Sequence, residues 1–107
     1  MTTPVHKDPA GRIRAMEEAL RVSCEAVAAL QKALERYEAA LPGLQALAAY
    51  YESPQWLQDY DADRAGQLPA DLPRGVLSQD AVYDLLCDND RLLAHMAALA
   101  ERSKVEM

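Results

Sequence analysis

The chain has 107 residues, of which 20 are Ala and 15 are Leu, while Val, Ile and Thr together supply only nine; this is the composition of a helical protein. Half of the residues are apolar, which excludes wholesale disorder, and no apolar run approaches the ~20 residues of a membrane span. The net charge of −6 is concentrated in residues 51–90, with nine acids against two bases, so the basic face of a nucleic-acid binder is absent; the balance fits a basic protein partner, or no partner and an acidic face that serves solubility.

In chain order, MTTPVHKDPAGR lacks the apolar core of a secretory signal, so a cytoplasmic, reducing compartment is expected and residues 1–11 read as a disordered tail. A single helical domain is expected over 12–103, leaving 104–107 as a C-terminal tail. No Gly or Pro interrupts residues 12–41, and Ile13, Met16, Leu20, Ser23, Val27, Leu30, Leu34, Tyr37 and Leu41 alternate by three and four, a heptad seam broken only at Ser23. Ala19, Ala26, Ala33 and Ala40 flank the seam and leave room for a close neighbour. Pro42 and Gly43 are expected to stop this helix, through a missing amide donor and access to positive φ.

Leu44–Glu52 then reads as a short helix, and Ser53-Pro54 as the N-cap and first residue of another that runs to about Ala65 and stops at Gly66. Residues 66–77, GQLPADLPRGVL, are long for a loop and read as an extended strap pinned by Leu68, Leu72, Val76 and Leu77. Ser78 is the expected N-cap of a last long helix over 78–103, with Asp80 in its first turn and a second seam of Val82, Leu85, Asn89, Leu92, Met96, Leu99 and Ser103. The fold class is therefore all-α: two long helices as an antiparallel or bundle-type pair, with two short helices and the irregular strap packed against them.

Tests for chemistry come back empty. Asp59-Tyr-Asp61-Ala-Asp63 imitates the start of a calcium loop, but Arg64 stands where the loop requires Gly and Ala70 where it requires Glu. His6 and His95 have no companion ligands for zinc, Cys24 and Cys87 form no CxxC and read as small buried thiols, and no phosphate-binding glycine loop or nucleophile elbow is present. Asp80, Asp84 and Asp88 form a carboxylate ladder for which Arg91 and Arg74 are the candidate counterions. No cofactor, metal or catalytic residue is expected.

Two kinds of residue share the segment from 52 to 90. Trp56, Tyr60, Tyr83 and Leu77 are the expected structural anchors, since an Ala- and Leu-rich core needs aromatic bulk to fill it. Asp59, Asp61, Asp63 and Asp84 are the expected interaction surface, presented outward to a basic partner.

The run YYESPQWLQDYDADRAGQLPADLPRGVLSQDAVYDLL over residues 50–86, with the helix before it and the Asn89-centred helix after it, resembles a bacterial family of small proteins, domain of unknown function 4298. The resemblance covers about residues 12–102 and implies a small helical domain without an assigned activity. The functional expectation is a protein–protein interaction module working through the acidic surface; its rivals are a self-associating helical protein, dimeric through the first long helix, and an unrecognised enzyme or ligand-binding protein.

Overall fold

A computed structural model describes residues 8–104 and is all-α, with three helices and no strand among the described residues. The helices are α1 (Pro9–Tyr51), α2 (Pro54–Arg64) and α3 (Gln79–Arg102), with a 3₁₀ turn at Gly75–Leu77. The chain divides into two compact units, Met1–Leu41 and Pro42–Met107.

The first unit is, over its described residues, the first three-quarters of α1. Pro9 occupies the opening turn, where a missing amide costs no helical bond, so the helix starts three residues before the expected Arg12. On its polar faces Arg21 bridges Glu18 (2.6 Å) and Glu25 (3.0 Å), and Gln31 donates to Glu35 (3.2 Å). Arg21 holds the Glu18 carboxyl below its ordinary range. These partners are exposed and screened, so they contribute little.

Pro42 does not end the helix. α1 runs through Pro42 and Gly43 to Tyr51, and the expected short helix at Leu44–Glu52 is its continuation. Proline removes one i to i−4 bond, here the one to the Glu38 carbonyl, but Ala- and Leu-rich helix on both sides outweighs that single loss. The division between the two units nevertheless falls at Leu41/Pro42.

Beyond Tyr51 the start and stop signals fall where the sequence places them, with one change at Ser53. Ser53 is extended (φ −90°, ψ 157°) ahead of Pro54, but its hydroxyl donates back to the Tyr50 carbonyl (2.6 Å), closing the end of α1 rather than capping α2. At the end of α2, Gly66 N–H bonds Asp63 O and Gln67 N–H bonds Ala62 O, both at 3.0 Å, the paired closure of a Schellman motif. That motif requires the left-handed φ of +72° that Gly66 adopts. The Ser78 hydroxyl caps α3 by accepting from Ala81 N–H (3.3 Å).

Candidate functional site

The second unit is organised around Trp56, which is only 6% exposed. Its indole stacks on Tyr60 one turn later (5.2 Å, 21°) and takes the edge of Tyr51 from the end of α1 (5.3 Å, 72°). Trp56 Nε1 donates to the Val76 carbonyl (2.9 Å), which ties α2 to the 3₁₀ turn and satisfies the one polar atom of a buried ring. Leu77 and Val82, 8% and 4% exposed, complete a core that joins α2, the 3₁₀ turn and the start of α3.

Two further polar ties sit at the edge of this core. The Tyr50 hydroxyl donates to the Asp59 carboxylate (2.6 Å), linking the last turn of α1 to α2. The neighbouring anion raises the Tyr50 phenol above its ordinary range, because ionising it would break that bond and set two negative charges together. Arg74 does more: its Nε donates to Asp63, Nη2 to Pro69 O (2.7 Å), and Nη1 to Leu72 O (3.0 Å) and Ala70 O (3.3 Å). One guanidinium thereby holds the 69–72 turn against α2, in the forked geometry that only Arg supplies.

Several expectations are corrected by these contacts. Trp56 and Leu77 are buried and Tyr60 is half-buried against Trp56, but Tyr83 is 58% exposed. The neighbouring Cys87 raises the Tyr83 phenol above its ordinary range. Asp59 and Asp63 are half-buried and committed to Tyr50 and Arg74, so of the four expected surface acids only Asp61 and Asp84 face outward. The strap is pinned less by its apolar residues than by Arg74 and the Trp56 indole: Leu77 is buried and Leu68 half-buried, while Leu72 and Val76 are exposed.

Of the ladder counterions, Arg91 pairs Asp88 (3.2 Å), whereas Arg74 is drawn to Asp63. Cys24 and Cys87 are exposed rather than buried, Asn89 is half-buried, and Ser23 and His95 lie exposed on their helices. His6 lies outside the described residues. Among the described residues no group of three or more His, Cys, Asp or Glu is gathered in the manner of a metal site, and no helix is long and apolar enough to cross a membrane.

The exposed apolar surface is the other feature of note. Ile13, Met16, Leu20, Val27, Leu30 and Leu34 of the α1 seam are between 38% and 65% exposed. On α3, Leu85, Leu92, Leu93, Met96 and Leu99 are likewise exposed. Two shallow hollows lie along the α1 seam, one lined by Arg12, Ile13, Met16, Glu17 and Leu20, the other by Val27, Leu30, Gln31, Leu34, Glu35 and Glu38. Each contains the two seam residues of one turn, the next seam residue and the neighbour beside them, the four positions that form a hole in a coiled coil, with further charged side chains at the rim.

No curated protein and no solved structure matches this chain. A family model does match over residues 13–99, nearly the whole described chain, and the protein belongs to the family described as domain of unknown function (DUF4298).

Proposed function

We propose that the protein is a self-associating helical module that pairs with a second copy through the α1 seam. The observation that supports this reading is the exposure of six large apolar side chains in heptad register along one helix. Isolated surface apolar residues need no explanation, but a contiguous stripe of this size marks an interaction surface. The alternative cover is α3 of the same chain, giving the long helix pair expected from the sequence. At ~1.5 Å per residue the seam of α3, from Val82 to Ser103, spans ~32 Å and that of α1, from Ile13 to Leu41, ~42 Å, so an intramolecular pair leaves part of α1 open.

Light scattering from micromolar to ~100 μM protein tests the reading, since weak association lies in the micromolar range. A mass that rises to twice the chain, and falls back in a Leu20→Asp/Leu30→Asp variant of unchanged α2 and α3 stability, is expected. A single-chain mass at ~100 μM would sink it and favour the intramolecular pair.

A second reading, recruitment of a basic protein, draws on Asp61 and Asp84, which are exposed. Salt-sensitive binding to a Lys-rich peptide that is lost in Asp61→Asn/Asp84→Asn would support it; no catalytic step belongs to either reading.

A further inference from the structure

We infer that two copies pair antiparallel along α1, with the two-fold axis beside Glu25, in the one register that uses the seam from end to end. The inference rests on the self-association proposed above and adds its geometry. With the axis there, Ile13 of one copy faces Tyr37 of the other, Met16 faces Leu34, Leu20 faces Leu30 and Ser23 faces Val27. Pro9, the first helical residue, then comes opposite Leu41, the last residue of the first unit, so the paired length ends where that unit ends.

Three observations bear on this arrangement, and the first and third select it. The first is layer size. Parallel pairing sets Ser23 on Ser23 and Tyr37 on Tyr37, the smallest and the largest layers of the seam, whereas antiparallel pairing gives Ser23 a Val and Tyr37 an Ile and so narrows the spread between layers. The second is the placing of the two hollows, which lie two heptads apart on either side of the axis and accept a knob in either orientation. Leu34, which lines the second hollow, is the knob that enters the first hollow of the other copy, and Leu20, which lines the first, enters the second. The surface is thus complementary to itself, as a two-fold interface requires.

The third observation is charge. In this register Glu17 flanks Gln31 of the other copy, and no like charges meet beside the seam; a slip of one heptad in one direction sets Glu17 against Glu38, and in the other leaves the last layers without partners. Parallel pairing offers Glu17 the Arg12 of the other copy, but an exposed pair of this kind contributes little against a misfit core. On the other flank Ala26 meets Ala26 and Ala19 meets Ala33, which lets the helices approach closely. The six exposed seam residues offer on the order of 100 Å² each, hence on the order of 1,200 Å² across a pair, within the range of specific interfaces.

Cysteine cross-linking on the full chain reads the orientation. In a Cys24→Ser/Cys87→Ser background, Met16→Cys and Leu34→Cys chains are treated with a short bismaleimide, each alone and after mixing and exchange, while light scattering reports the mass. Antiparallel pairing predicts a cross-link in the mixture and none in either chain alone, because each cysteine lies ~27 Å along the axis from its own counterpart, 18 residues at the helical rise. A dimer in which each variant cross-links to itself is parallel and overturns the inference while leaving self-association standing. A dimer that cross-links in no combination joins through another face, which overturns both the inference and the proposed use of α1. A single-chain mass overturns the self-association itself.

Discussion

The two units of this chain use the same helix-forming composition to opposite ends. Residues 42–104 build a small core held by specific pairings: Trp56 with Tyr51, Tyr60 and Val76, Arg74 with Asp63 and three carbonyls, Tyr50 with Asp59. Residues 9–41 carry a longer and more regular apolar pattern, yet Ile13, Leu20 and Val27 are more than half exposed. Pattern regularity therefore does not measure burial. A short segment with one Trp, three Tyr and a well-placed Arg closes on itself, whereas a heptad stripe on a single helix has nothing within its own unit to close on.

The contrast is broken most sharply by truncating one large side chain in each unit. Trp56→Ala removes the indole that joins α2 to the 3₁₀ turn and should destabilise the second unit by about 3–5 kcal/mol, read from urea unfolding by circular dichroism. The comparable change Leu20→Ala, at a residue 57% exposed, should shift unfolding of dilute protein by no more than about 0.5 kcal/mol. Similar losses at the two sites would contradict the division drawn here.

Arg74→Ala should cost the second unit about 1–3 kcal/mol, discounted for a side chain one-third exposed, by freeing the 69–72 turn and leaving Asp63 without its cation. Arg74→Lys should recover only part of that, because a point charge cannot serve Asp63 and three carbonyls together. Full recovery with Lys in the same denaturation assay would show that charge alone matters.

A smaller effect is expected from alkaline pH. The Tyr50 phenol is raised in the folded chain, so its contribution is present below the ordinary tyrosine value of about 10 and is lost as pH rises through the higher folded value. Ultraviolet titration should place two tyrosines, Tyr50 and Tyr83, above the ordinary range, and Asp59→Asn should bring only the first down. An unchanged titration in Asp59→Asn would deny the Tyr50–Asp59 bond in solution. Smallest of all, Asp61→Asn should leave the melting temperature near that of the parent chain, while Asp63→Asn lowers it; equal effects would mean that the Arg74 tie is idle.

Local punctuation in the sequence translated well into structure. Pro54 opens α2, Gly66 closes it at positive φ and Ser78 caps α3, because each acts on backbone within one turn of itself and needs no distant partner. Pro42 does not stop α1 because its cost is local, one hydrogen bond and the crowding of its ring against the carbonyl four residues back, while the helix around it gains from Ala and Leu on both sides. Asp59 and Asp63 counted as free surface charge since nothing local announces that Tyr50 and Arg74 fold onto them from nine and eleven residues away. Arg74 had a faint signal: it is the sole base of a twelve-residue Pro- and Leu-containing strap whose carbonyls need donors. Tyr83 was ranked an anchor on scarcity of aromatics alone, and scarcity carries no information about which face of α3 a residue occupies.

Amide hydrogen exchange at two protein concentrations tests the central claim most directly, because it reads both units in one sample. Self-association through α1 predicts that amides of residues 13–41 exchange freely at low micromolar protein and gain protection at ~100 μM, while those around Trp56, Leu77 and Val82 keep one protection level throughout. Protection of residues 13–41 that is high and independent of concentration would contradict it, placing the cover for the α1 seam within the single chain.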